Sequence, residues 1–423
     1  MLFLKVMDLG IGYLIVLLIT NSYGAAVFGA YTSLVTLISI LVLLPRLGLD
    51  VAVVRVLGAI EGTWAEGSLL LIRKVFGFLL VSLSLAFLLI CFFYQFLSGY
   101  FPIEVIGASA SDVARLVVLS VLLTVAAAFY QGWQKPAAYI IYNSVLQKTL
   151  FLILLIFLVK GGFKLSLMNA YEGSFLVAVF LVLGAISRRV YVTREKKRIV
   201  NGYPSLTNLL KLAFPMMMAS SFSMIMSWVD IVMLGWMKGA AEVGVYSVAQ
   251  KIAALTGVSL IAINAIYAPK FAQLYAAGKL DEFQFVVKQS TKFIMLSSLP
   301  IVVVFAWMPQ QIMGFFGGEF VEGGAVLLLI LAGQFVNMMC GSVGYILQMT
   351  NNQRIYQRVM FSAAIINIAL NYLLVPLYGM HGAAIATLSS LVFWNVTLLI
   401  IIYHKFGFIT IYIPWFDTGR KKG

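Results

Sequence analysis

The sequence predicts an all-α membrane protein with 12 transmembrane helices in two six-helix bundles related by pseudo-two-fold symmetry. Three observations carry that prediction. The 423 residues are 62% hydrophobic and 10% charged, with a mean hydropathy of +1.01, whereas soluble domains carry roughly 25% charged residues. Twelve apolar runs approach or exceed the roughly 20 residues that a helix needs to cross a hydrocarbon core of about 30 Å. A short phrase recurs half a chain apart, as "GAAVFGAYTS" (Gly24–Ser33) and "GAAEVGVYSV" (Gly239–Val248).

The runs of the first half are Phe3–Tyr23, Gly29–Leu44, Val75–Phe96, Val113–Tyr130, Tyr139–Val159 and Tyr171–Val190. Those of the second are Leu209–Gly235, Val243–Tyr267, Phe293–Met313, Gly324–Met349, Val359–Leu377 and Ala383–Tyr403. The longest polar stretch, "RRVYVTREKKRIVNGYPS" (Arg188–Ser205), falls between the halves. The predicted organisation is a bundle over 1–190, a cytoplasmic linker over 191–208 and a second bundle over 209–423. "GKLDEFQFVVKQSTKF" (Gly278–Phe293) sets Phe283, Val286 and Val287 apart from its charges and reads as an in-plane amphipathic helix.

The formal net charge is +14. The basic residues cluster between apolar runs, where they face anionic headgroups, so nucleic acid is excluded as a partner. Arg46, Arg55, Arg73, Lys74, Lys135, the Arg188–Arg198 cluster, Lys270, Lys279, Arg354 and the tails fall on one side. Only Lys160, Lys164 and Lys238 fall opposite. The positive-inside rule then places both termini in the cytoplasm of a plasma-membrane protein.

Each copy of the recurring phrase spans the short outer turn between the first two helices of its half. That points to a duplication with its axis along the membrane normal, as in parallel-repeat transporters. The Tyr of each copy reads as an interface anchor.

Other chemistries find no support. Cys91 and Cys340 sit in apolar runs, without a disulfide framework. His381 and His404 are too far apart for a metal site. Gly278-Lys279 lacks the rest of a P-loop. No cofactor is expected, and no signal cleavage pattern follows Leu9–Tyr23.

Charges inside the runs are the candidate site, because a Lys, Arg or Asp at a helix centre disfavours insertion by about 2.5–3.5 kcal/mol. Lys148 lies near midplane in the fifth run, with no evident acidic partner in its half. Asp230 and Lys251 lie at similar depth on the seventh and eighth runs. Either they lock those helices as an ion pair, or Asp230 accepts a proton or sodium ion while Lys251 binds an anion. Arg115, near an outer edge, can snorkel. In "PRLGLDVAVVRVLG", Arg46 and Asp50 are spaced to pair on a helix. Arg46 and Arg55 either mark the inner leaflet or receive a phosphate at the cytoplasmic mouth. Most tryptophans, Trp133 among them, fall near run ends as interface anchors. Asn264, Gln334, Asn337, Asn367 and Asn371 read as interhelical hydrogen-bonding residues.

Several phrases carry a family resemblance. "SWVDIVMLGWMKGAAEVGVYSVAQKIAAL" (Ser227–Leu255), "YAPKFAQLYAAGKLDEF" (Tyr267–Phe283) and "NIALNYLLVPLYGMHGAAIATLSS" (Asn367–Ser390) resemble polysaccharide flippases of the Wzx type. "FGAYTSL" and "LGLDVAVVR" fit the first two helices of that family, which belongs to the multidrug/oligosaccharidyl-lipid/polysaccharide exporter superfamily. The resemblance implies two bundles, arranged as in multidrug (MATE-like) exporters, around a cavity that opens alternately to each face. It implies a lipid-linked oligosaccharide of the undecaprenyl-pyrophosphate type as substrate, moved from inner to outer leaflet and held by cavity cations, with ion exchange as a driving force. Asp230 and Lys251 match the family pattern, whereas Arg46, Arg55 and Lys148 rest on the charge argument. One departure is the outer end of the first helix, "TNSYGAAVFG", which lacks the Arg common in the family.

The reading is therefore a non-enzymatic flippase, with the lipid-linked glycan, membrane lipids and glycan-assembly proteins as partners. The alternative is a multidrug or cation antiporter, which wants an acidic cavity. A membrane glycan polymerase or ligase wants a large catalytic outer loop, and the longest here runs only from Gln95 to Asp112.

Overall fold

A straight helix over the first apolar span, Phe3–Arg46, would have 44 residues. At 1.5 Å per residue that is about 66 Å, twice the hydrocarbon thickness. The computed structural model breaks it at Gly24, whose backbone (φ 79°, ψ −177°) interrupts helix α1 (Leu2–Leu41). The matching glycine of the second phrase, Gly239, has φ 93° and ψ −175°. This extended, positive-φ region is essentially open only to glycine. The recurrence in the sequence is thus a recurrence of one backbone turn.

The structure describes residues 2–58, 66–161, 166–193 and 228–411, and every regular element among them is helical. The chain divides into two compact units, Met1–Met224 and Ile225–Gly423. The predicted linker beyond residue 193, most of the predicted seventh run and the C-terminal basic tail lie outside the described residues.

In the first unit α1 leads into α2 (Leu43–Arg46) and α3 (Leu49–Gly58). Between these two, Leu47 and Gly48 both take positive φ and turn the chain. Next come α4 (Glu66–Ser98) and α5 (Ala110–Gly132). A capping box between Ser109 and Asp112 starts α5 by satisfying its free backbone N–H groups. Then α6 (Pro136–Ile140), a π turn (Ile141–Val145) and α7 (Leu146–Val159) make one span, and α8 (Leu167–Thr193) ends the described part. The central helix is α5, packed against α1, α3, α4 and α8. Its apolar window is 72% buried, against 22% for that of α4. The outward face of α4 therefore presents the large apolar residues that lipid would cover.

The second unit begins with α9 (Trp228–Met237), followed by α10 (Ala240–Ala254), a 3-10 turn and α11 (Val258–Ala276). It continues through α12 (Leu280–Trp307), α13 (Pro309–Gly314), α14 (Gly324–Cys340), α15 (Val343–Met349), α16 (Gln353–Tyr378) and α17 (Met380–Phe406). The turn from α16 to α17 is closed by Glu242, whose carboxylate accepts from the Met380 N–H at 2.6 Å. Gly379 (φ 54°) makes room, since a Cβ there would lie 2.2 Å from the Glu242 carboxylate.

Ten helices among the described residues are long and apolar enough to cross a membrane. The first two predicted runs fall within one of them, and the seventh is only partly described. Two expectations are corrected. The segment Gly278–Phe293 is not a separate in-plane helix but the start of α12. Its Phe283 and Val287 are fully buried in a core with Phe271, Ile346 and Leu347, so protein rather than lipid covers the apolar stripe. The tenth run is interrupted at Gly341 (φ 70°), which separates α14 from α15.

Candidate functional site

The second unit seals one carboxylate inside itself. Asp230, on α9, is 1% exposed. The Tyr246 hydroxyl on α10 donates to its Oδ2 at 2.6 Å, and the Thr387 hydroxyl on α17 donates to the same oxygen at 2.7 Å. Asn371 Nδ2 on α16 donates to Oδ1 at 2.8 Å, and Asn367 Nδ2, one turn earlier, approaches it at 3.4 Å. Four helices thus converge on one charge through neutral donors. The side-chain amide oxygens (Oδ1) of Asn367 and Asn371 are buried with no hydrogen-bond partner among the described residues. Buried polar atoms of that kind are ordinarily satisfied by protein, water or an ion. Carboxylate, hydroxyl and amide oxygens together form the type of set that hard cations prefer.

Of the two alternatives for Asp230 and Lys251, the ion pair is not formed, since the partners of Asp230 among the described residues are uncharged. Helical geometry explains why. Tyr246 faces Asp230, and five residues at about 100° each carry Lys251 roughly 140° round α10. Lys251 is exposed there. Tyr246 itself is fully buried rather than an interface anchor. Its counterpart Tyr31 packs in an aromatic group, 5.8 Å from Phe151 and edge-on to Tyr171 at 5.3 Å.

In the first unit Lys148 has an acidic partner that sequence reading missed. Its Nζ lies 2.9 Å from Asp8 Oδ1, joining α7 to α1. The Ser144 hydroxyl donates to the same oxygen from the π turn one helical turn before Lys148. Gly12, one turn after Asp8, lines the same spot, and a Cβ there would lie in ordinary contact with Nζ at 4.0 Å. Both charged side chains stay partly open, at 34% and 22% exposed. Asp8 was legible as an acid inside the first apolar run, but its neighbours in sequence say nothing about residue 148.

Arg46 and Asp50 pair as their spacing predicts, at 3.4 Å across the α2–α3 turn. Arg55 is exposed on α3. Arg115 does more than snorkel, since its guanidinium forks between Asp112 and Glu172, reaching the latter at 2.5 and 3.2 Å. Trp133, expected at an interface, is buried and carries the Arg189 guanidinium 4.8 Å from its ring centre.

Comparison with known proteins adds the relatives. The model of the polysaccharide biosynthesis protein family matches residues 2–275, and the MatE model matches residues 215–373. A probable low-salt glycan biosynthesis flippase of Haloferax volcanii, Agl15, is 24% identical over 194 residues, 46% of this chain and 40% of that protein. The match therefore spans less than half of that relative. Among solved structures, the lipid II flippase MurJ in its inward closed conformation is 15% identical with a TM-score of 0.69, covering 95% of this chain and 86% of that one. An inward-facing MATE multidrug transporter of the MOP superfamily is 13% identical with a TM-score of 0.70, covering 94% of both chains. These likenesses show a shared two-bundle fold. With the first family model matching well over half of its length, this multi-pass membrane chain belongs to the polysaccharide biosynthesis protein family.

Proposed function

We propose that the protein is a flippase that carries a lipid-linked oligosaccharide of the undecaprenyl-pyrophosphate type from the inner to the outer leaflet of the plasma membrane. The observation that carries the reading is the placement of charge. A sealed carboxylate, Asp230, sits among neutral donors and spare oxygens in one unit. A partly open ammonium, Lys148, sits beside one acid among the described residues of the other, Asp8. The first suits a coupling proton or sodium ion, and the second suits an anionic headgroup. Lys148 receives the pyrophosphate, with Arg46, Arg55 and Lys251 as further anion contacts. The work is positional rather than covalent, and both termini lie in the cytoplasm. Glycan-assembly proteins at the same membrane are the natural suppliers and consumers of the cargo.

The glycan reading is supported by the family match and by the flippase relative. Multidrug or cation antiport is the second reading. It is favoured by the MatE match over residues 215–373, a segment that contains Asp230. Reconstitution separates the two. Vesicles holding the protein and a fluorescent lipid-linked sugar are assayed for leaflet protection, with and without a proton or sodium gradient, beside an efflux assay with a cationic dye. Sugar translocation without dye efflux is the expected result, and dye efflux alone would refute the glycan reading.

A further inference from the structure

A recess of ≈ 730 Å³ opens on the first unit where α8 meets α5. Tyr130 of α5 walls it, with Phe180, Gly184, Ala185, Arg188 and Arg189 of α8. Two chemistries meet along it. Arg188 and Arg189 make one end basic. Phe180 lies eight residues deeper, about 12 Å along the helix axis, and is 75% exposed. Between them the floor is left open by Gly184, where a Cβ would meet nothing within 4 Å. The basic end is also ordered. The Arg189 guanidinium sits over the Trp133 ring, and that ring packs edge-on against Tyr130 at 5.3 Å. Stacking of this kind fixes the plane of an Arg fork and aims its donors.

We propose that this recess binds an anionic glycerophospholipid of the surrounding bilayer, with its phosphate on Arg188 and Arg189 and an acyl chain along Gly184 and Phe180. Charge complementarity selects the headgroup, since Arg forks match phosphate oxygens. The apolar wall selects a molecule with a chain, because a free phosphate ester would gain nothing from Phe180. The opening at Gly184 selects a seated chain over diffuse attraction to a basic helix end. The bound lipid is not the cargo, so the site goes beyond the transport reading. On the orientation proposed above, it lies in the inner leaflet.

Native mass spectrometry of the purified full-length protein tests this, with titration by dioleoylphosphatidylglycerol, dioleoylphosphatidylcholine, undecaprenyl phosphate and inorganic phosphate. Phosphatidylglycerol is expected to be retained in preference to phosphatidylcholine. The double variant R188Q/R189Q should weaken its binding about tenfold or more, at about 1 kcal/mol per charge. Gly184→Leu, which fills the recess without changing charge, should weaken it to a similar extent. Unaltered binding by Gly184→Leu would reduce the site to diffuse attraction and overturn the proposal. Retention of undecaprenyl phosphate but not phosphatidylglycerol would assign the recess to the cargo instead. Displacement of lipid by inorganic phosphate would make it a simple anion site. The two variants act independently, so if one fails to fold the other still decides. None of these readouts depends on transport.

Discussion

Lys148 Nζ on α7 lies 2.9 Å from Asp8 Oδ1 on α1, and the same oxygen accepts from Ser144. A cation in an apolar unit is thereby held by an anion of the protein itself. A phosphate arriving at Lys148 has to compete with that carboxylate.

Replacing Asp8 by Asn removes the competitor while keeping the shape. A partly exposed pair contributes about 1 kcal/mol, so Asp8→Asn should tighten lipid-linked substrate binding roughly fivefold and slow its release. Lys148→Ala should abolish translocation while insertion persists. Weaker substrate binding by Asp8→Asn in a direct titration would remove Lys148 from substrate recognition.

Asp230 should link transport to the ion gradient. Asp230→Asn keeps the volume and loses the charge. Flipping should then lose its response to a proton or sodium gradient in the leaflet-protection assay. A full gradient response in a well-expressed Asp230→Asn protein would show that coupling resides elsewhere.

Tyr246→Phe removes one donor from the same carboxylate. A hydrogen bond to a charged group contributes roughly 1.5–3 kcal/mol. The variant should lower the thermal midpoint in detergent measurably, with a larger effect than Tyr31→Phe at the matching position of the first half. Equal shifts in the two variants would contradict the special role of the Tyr246 hydroxyl.

Gly24 and Gly239 share a backbone conformation that a side chain strains by about 1–3 kcal/mol. Ala at either position should reduce stability by an amount of that order. Gly10→Ala, placed in open space on a regular helix, should not. The thermal midpoints of the three variants check it, and a neutral Gly239→Ala would sink the duplicated-turn argument.

The spans were legible because lipid demands long apolar runs, a constraint written residue by residue. The turn glycines were legible because the phrase recurs. The Arg46–Asp50 pair was legible because its partners are one helical turn apart. Asp8 and Lys148 were not, since their meeting depends on how α1 packs on α7. Tyr246 looked like an interface residue because a buried hydroxyl and a belt hydroxyl occupy similar sequence settings. The start of α12 looked like a surface helix because an apolar stripe shows that something covers it, not whether lipid or Phe271 and Ile346 do so.

The ring of neutral donors around Asp230 has an electrical consequence. With uncharged partners on every described side, one captured cation or proton switches that helix cluster from carrying a full negative charge to carrying none. In the proposed cycle an unloaded cluster keeps a bare charge in low-dielectric surroundings, which is costly, and a loaded one does not. On the proposed ion-coupled reading, occupancy of this single position is what permits movement, granted from inside one half of the molecule.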